Sequence, residues 1–392
     1  MTLAKDPFFA NDRTNNMSTK LPSRADHVGS FLRPKSVLEG RTHRAADNIS
    51  YEELRAIEDQ AIADLVKWEE SLGLKAITDG EYRRVFFHTD FLLQLAGVEE
   101  TGGIKKAFKN DKGVEVHFAP PKIVISGKVE HVKPIQRRDY EFLAKHTTQT
   151  PKVAIPSPTM LHFRAGRAGI PEDVYPTMDE FYADVAAAYR AEVADLADAG
   201  CRYIQFDDTN LAYLCDTGHR QDAASRGMDP DSITHEYARL INASFAGAPA
   251  DMVRAMHLCR GNFRSSWAAE GGYDPVAEVM FNECDIDAFF LEYDDARSGD
   301  FAPLRFLPKG KTVVLGLVST KLGELESKDD IKRRIDEAAK YADLDQLALS
   351  PQCGFASTVH GNDITTEQQA AKIRLCVEVA EDVWGSVHAM AD

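Results

Sequence analysis

The feature that most restricts how this chain can fold is a series of short apolar runs, each turning polar at its carboxyl end. They span residues 25–31 (ADHVGSF), 75–81 (KAITDGE), 152–158 (KVAIPSP), 203–209 (YIQFDDT), 252–259 (MVRAMHLC), 286–293 (IDAFFLEY), 312–318 (TVVLGLV) and 344–351 (LDQLALSP). Runs that are apolar nearly throughout are buried on both faces, as the strands of a parallel sheet are. Parallel neighbours need long crossovers, and helical patterns lie between the runs. In residues 50–73, Ser50 is placed to cap a helix with Glu53 three residues on, and Gly73 stops it. Residues 177–200 and 327–342 repeat the scheme. The expected fold is α/β, a (β/α)8 TIM barrel with its active site at the carboxyl ends of the strands; a doubly wound open sheet is the structural competitor.

One segment departs from this rhythm. Residues 101–134 alternate with period two and carry turn signals, so they are expected to form an antiparallel β excursion between strands two and three. Residues 1–20 are polar, lack the apolar core of a secretion signal, and are expected to be a disordered tail, leaving 21–392 as one catalytic domain. The chain carries 46 basic and 62 acidic residues, a net charge of −16. That balance argues against nucleic acid or an anionic membrane as partner. No apolar run is long enough to cross a membrane, and a cytoplasmic protein is expected, with room left for a homo-oligomer. Six cysteines spread over 392 residues are no disulfide scaffold; they are buried thiols or metal ligands.

The polar strand ends carry the chemistry. His257 and Cys259 stand two apart on one strand, so their side chains face the same way. Glu292 ends the next run and Cys353 follows the last. Two thiolates, an imidazole and a carboxylate make a chemically sensible zinc set, although His-x-Cys in an apolar strand is by itself more often core. Cys201 and Cys284 fall at the opposite ends of their strands, and Cys215 and Cys376 in helical patterns; all four are assigned to structure. Asp79 and Glu81 end the second run and Asp207 and Asp208 the fourth, with a helix cap as the bland alternative for Asp208. Carboxylates at a barrel mouth need a partner, and a substrate ammonium suits. At Gly29 and Ser30 backbone N–H groups could approach a carboxylate. His27 is as readily structural. Arg260, Arg264, Arg297 and Arg305 either ring an anionic donor or make solvent-facing salt bridges.

In this order the pieces resemble the catalytic barrel of the cobalamin-independent methionine synthase family. The matching elements are Gly29-Ser30, Gly80-Glu81, Phe206-Asp207-Asp208, His257-Leu258-Cys259, Glu292 and Pro351-Gln352-Cys353-Gly354, over roughly residues 22–385. The resemblance implies Zn2+ held by His257, Cys259, Glu292 and Cys353. It implies homocysteine with its amine near Glu81 and Asp207 and its carboxylate near Gly29 and Ser30, and transfer of a methyl group to its sulfur. Coordination deprotonates a thiol, and a site with two thiolates and a carboxylate withdraws little charge from it.

The departures from the family bear on the donor. Full-length members have two barrels. The family's catalytic His after strand seven is missing from residues 316–327, where Lys321 stands, and its pterin-facing tryptophan is missing from 157–166. The methyl donor is therefore left between methyltetrahydrofolate and a methylcorrinoid. Another zinc-dependent thiol alkyltransferase, such as an epoxide:coenzyme M transferase, is the alternative.

Overall fold

The structure, a computed structural model, describes residues 21–103, 106–109, 115–118 and 121–388. The tail expected over residues 1–20 lies outside the described residues. In chain order the strands are β1 (Ala76–Ile77), β2 (Ala96–Gly103), β3 (Lys106–Lys109), β4 (Glu115–Phe118), β5 (Pro121–Glu130) and β6 (Thr150–Pro151). They continue with β7 (Val153–Pro156), β8 (Tyr203–Asp208), β9 (Val253–Leu258), β10 (Ala288–Glu292), β11 (Thr312–Val318) and β12 (Leu347–Pro351).

Strands β7 to β12 form one parallel sheet in which each strand pairs with its neighbour in sequence. Helices fill the crossovers where their caps were legible. Tyr51–Ser71 begins at a complete Ser50–Glu53 capping box, Met178–Asp198 at Thr177, and Lys328–Ala338 at Ser327. Both sheet faces are buried, which explains why the strands read as continuous apolar runs. Met256, Phe289, Leu291, Val313 and Leu315 belong to the large core that includes the helices, whereas Ala255, Ala288, Phe290, Val314 and Ala348 belong to a small cluster on the other face.

The first two expected strands are reduced. Residues 25–31 form no ladder; Ala25 alone bridges Leu349, in parallel. Side chains take the backbone groups that a ladder would use: the His27 N–H donates to Asp26 Oδ1, and Lys152 Nζ donates to the His27 carbonyl. The second run pairs only over Ala76–Thr150 and Ile77–Pro151. Between β1 and β6, β2 pairs antiparallel with β5 and β3 with β4, and this pairing begins at Ala96 rather than at residue 101.

A buried ion pair closes off the small-cluster face. Lys152 Nζ lies 3.2 Å from Asp26 Oδ1, both side chains fully buried, and the Tyr203 hydroxyl donates to Asp26 Oδ2 at 2.7 Å. The ammonium also sits 4.1 Å from the centre of the Phe290 ring. Removing one partner of such a pair strands the other charge in the interior. Lys152→Ala is expected to cost about 3–5 kcal/mol in urea unfolding, and Lys152→Met combined with Asp26→Asn should recover part of it; equal losses in the single and double variants would contradict this assignment.

Candidate metal and substrate site

The carboxyl ends of the parallel strands bring four side chains together. His257 lies near the end of β9 and Cys259 directly after it, Glu292 ends β10, and Cys353 follows β12. All four are buried, and their ligating atoms lie within 4.8 Å of one another. The Cys259 and Cys353 sulfurs are 3.5 Å apart. His257 Nδ1 sits 3.3 Å from the Phe290 carbonyl, which leaves Nε2 facing the Cys353 sulfur with no oxygen or nitrogen partner among the described residues. Glu292 is held at both oxygens: Oε1 accepts the Arg260 N–H at 2.7 Å, and Oε2 accepts from Gln352 Nε2 at 3.2 Å. Gln352 is itself fixed, its Oε1 accepting from the N–H and hydroxyl of Thr320.

The electrostatics fit a cation bound among these groups. The hydrogen bond from Cys259 holds the Cys353 thiol well below the usual thiol range, and His257 adds to this. Cys259 moves the opposite way, first through Cys353 and then through burial. Burial raises the Glu292 carboxyl. Lys321 is buried, its charge favours the ionised forms of Glu292 and both thiols, and its Nζ has no hydrogen-bond partner among the described residues. A soft donor set of two sulfurs, one nitrogen and one oxygen, with an unpartnered imidazole nitrogen, suits a divalent metal such as zinc.

One pocket joins this cluster to the second set of acids. Ser30, Glu81, Asp207, His257, Cys259 and Cys353 line one part of it. Glu81 adopts φ 58°, a left-handed conformation that a non-glycine residue rarely takes. Its N–H donates to Asp79 Oδ1 and its carbonyl accepts from Arg33 Nη2, which fixes the turn. Among the described residues Glu81 Oε2 is buried without a hydrogen bond, and Arg84 approaches it only to 3.8 Å. Burial raises both the Glu81 and Asp207 carboxyls, and for Glu81 the nearby Asp207 charge adds to this. Asp207 accepts from Gln205 Nε2 at 2.7 Å, and in the sheet register it stands beside His257. Ser30 packs on Gly354, where a Cβ would come within 2.0 Å of the Ser30 Oγ; Gly29 adopts φ 138° beside Glu81.

Other candidates separate from the site. Asp208 caps the turn that follows β8, accepting from the Asn210 and Leu211 N–H groups and from Thr159. His27 lies 3.2 Å from Glu69 and bonds the Ala76 carbonyl. Cys201, Cys215, Cys284 and Cys376 are buried free thiols outside the cluster. None of the four arginines singled out in the sequence lines the pocket. Arg260 is buried against Tyr273, Arg297 pairs with Asp294 and Asp295, Arg305 pairs with Asp274, and Arg264 is exposed.

The residues that sequence reasoning missed are those supporting the site. Gln205 carried a signal, since it stands two before Asp207 on the same strand face. Gln352, inside the Pro-x-Cys-Gly element, carried another. Arg84, which faces Glu81, and Arg164 and Phe108, which line the pocket, gave none, because tertiary packing alone brings them there. Phe108 arrives because Lys109 and Trp267 exchange backbone hydrogen bonds of 2.8 Å, tying β3 to the loop after β9.

Parallel strands that gather reactive side chains in one pocket at their carboxyl ends define an α/β enzyme. Residues 24–382 match the family described as cobalamin-independent synthase, catalytic domain, and the chain belongs to that family. It is 45% identical to the uncharacterized protein YxjH of Bacillus subtilis strain 168, over 97% of this chain and 100% of that one. It is 24% identical to the 5-methyltetrahydropteroyltriglutamate–homocysteine methyltransferase of Bacillus velezensis, covering 84% of this chain but only 39% of that relative. A crystal structure from Listeria monocytogenes, provisionally assigned as a vitamin-B12-independent methionine synthase, is 36% identical, with a TM-score of 0.74 over 95% of this chain and 100% of that one. By class the chain is a methyltransferase.

The Glu81 environment has a consequence for stability. A carboxyl whose folded pKa is raised binds a proton more tightly in the folded state. Its presence costs nothing below the ordinary carboxylate range, and the folded state loses stability as pH rises through the raised value. Without homocysteine, Glu81→Gln should therefore gain melting temperature relative to wild type at about pH 8 and not at about pH 4. A difference independent of pH, read by calorimetry, would contradict the burial argument.

Proposed function

We propose that this chain is a zinc-dependent methyltransferase that moves a methyl group to the thiol of homocysteine and releases methionine. The observation that carries the reading is a single pocket lined by His257, Cys259 and Cys353 of the four-residue cluster and by a buried acid pair, one of whose oxygens, Glu81 Oε2, lacks a hydrogen-bond donor among the described residues. His257, Cys259, Glu292 and Cys353 would hold the metal. Bound zinc would supply a thiolate at neutral pH and a template for the acceptor.

The protein's own residues do the rest. Glu81 and Asp207 receive the ammonium of the amino acid, which supplies the missing donor and offsets their charges. Gly29 and Ser30 are assigned to its carboxylate. Gln352 and the Arg260 N–H aim the Glu292 carboxylate, and Lys321 offsets negative charge behind the cluster. Phe86, Phe87 and Phe263 line the pocket and exclude water from the acceptor sulfur. The name of the Bacillus velezensis relative supports the same acceptor. The donor is proposed to be folate-type or a methylcorrinoid.

We read the sheet as a closed (β/α)8 barrel in one catalytic unit over 21–392, supported by the Ala25–Leu349 bridge at one edge and the β1–β6 pairing at the other. The acid pair speaks against a thiol acceptor without an ammonium, such as coenzyme M.

Purified protein is to be assayed for methionine with homocysteine and, in parallel, methyltetrahydrofolate or methylcobalamin. Chelation should abolish product, and Cys353→Ser should lower retained zinc. Glu81→Ala should raise the KM for homocysteine by roughly ten- to a hundredfold, as expected for a lost charge-assisted bond. Full activity after chelation, or an unchanged KM, would overturn the reading.

A further inference from the structure

The pocket also carries a cation that no carboxylate among the described residues pairs with. Arg164 lines the same pocket as Cys259 and Cys353. Its Nε is buried without a hydrogen-bond partner among the described residues. Its Nη1 lies 3.1 Å from His88 Nε2, an imidazole nitrogen rather than a carboxylate oxygen. Among the described residues no carboxylate forms an ion pair with Arg164; Tyr213 is the neighbour that favours its charge, and burial lowers its pKa.

Two other buried arginines near the site, Arg33 and Arg84, are engaged by the chain itself. Arg33 donates to the carbonyls of Glu81, Arg84, Ala356 and Thr358. Arg84 donates to Gln136 and the Ala154 carbonyl and faces Glu81. The Arg164 backbone is fixed, because its carbonyl accepts from Arg226 Nη1 at 2.7 Å. The guanidinium thus has donor capacity to spare, in a pocket that the aromatic side chains of Phe87 and Tyr213 also line. A sequestered cation of this kind costs stability unless a ligand offsets it, and a guanidinium matches an oxyanion in shape as well as charge.

We propose that Arg164, with His88 behind it, is the oxyanion subsite of the second reactant, so that the methyl donor is an anionic molecule whose carboxylate or phosphate rests on Arg164. The inference rests on the thiol methyltransferase reading and adds the residue on which the donor's anionic group rests. The acceptor's ammonium sits with Glu81 and Asp207, and Arg164 serves the other partner.

The test uses cobalt(II)-substituted full-length protein, in which the sulfur-to-cobalt absorption reports homocysteine binding without a donor. Inorganic phosphate and acetate are titrated in separate calorimetric arms against the homocysteine-loaded protein; the arm that binds more tightly tells a phosphate donor from a carboxylate one. Arg164→Met should weaken the anion by about tenfold or more and leave the homocysteine titration unchanged, while Arg164→Lys should retain most of the anion binding. The ligand-free Arg164→Met protein should melt no lower than wild type, because an uncompensated charge has been removed. The proposal is overturned if neither anion binds wild type, if Arg164→Met binds as wild type does, or if the variant loses homocysteine instead, which would give Arg164 the acceptor's carboxylate. If homocysteine leaves the cobalt spectrum unchanged, the functional reading itself fails, whatever the anions do.

Discussion

The interaction on which the rest of the site depends is the repulsion among acids gathered away from water. Glu292, Glu81, Asp207 and two thiols share one buried region at the strand ends. Buried charges persist only where something offsets them, so the surroundings are arranged around that need. Lys321 lies behind the cluster, Arg84 faces Glu81, and neutral donors from Gln352, Gln205 and the Arg260 backbone fill the lone pairs that remain. What the protein leaves unfilled is as informative: the His257 Nε2 and Glu81 Oε2 atoms are buried and lack nitrogen or oxygen partners. Under the proposed function a metal would complete the first position and a substrate ammonium the second, which is why an amino acid thiol is proposed as acceptor.

The parallel sheet makes the gathering possible. Each strand contributes one or two side chains at its carboxyl end, and in-register pairing fixes them laterally, as with Asp207 beside His257. Because Glu292, Cys259 and Cys353 come from different strand ends, no local segment can form the cluster by itself. The geometry is secured by the apolar bodies of the strands, with Phe290 and Val314 packed on one face and Leu291 and Leu315 on the other.

Much of this was legible in the sequence, for identifiable physical reasons. Continuous apolar runs with polar ends gave six strands of the sheet, and Ser50, Thr177 and Ser327 marked helix starts through their capping side chains. The first run misled because Asp26 and His27 satisfy the backbone groups that a ladder would use, a tertiary effect with no periodic signature. His257, Cys259, Glu292 and Cys353 could be placed together because strand order gives direction to side chains. Cations could not be placed in this way. Arg260 looked like a rim residue and is packed beneath the surface on Tyr273, whereas Arg164, which carried no signal, reaches the pocket from a loop after β7. Arginine side chains are long, and loop conformation alone decides where their charge ends up.

The central claim is that the four-residue cluster holds zinc and presents it to a substrate sulfur. X-ray absorption at the zinc edge, on protein purified with its metal and measured with and without homocysteine, tests this most directly. The account predicts two sulfur ligands at about 2.3 Å with nitrogen and oxygen completing the set, and one further sulfur when homocysteine is added. Protein without zinc, or a sulfur count unchanged by homocysteine, would contradict it.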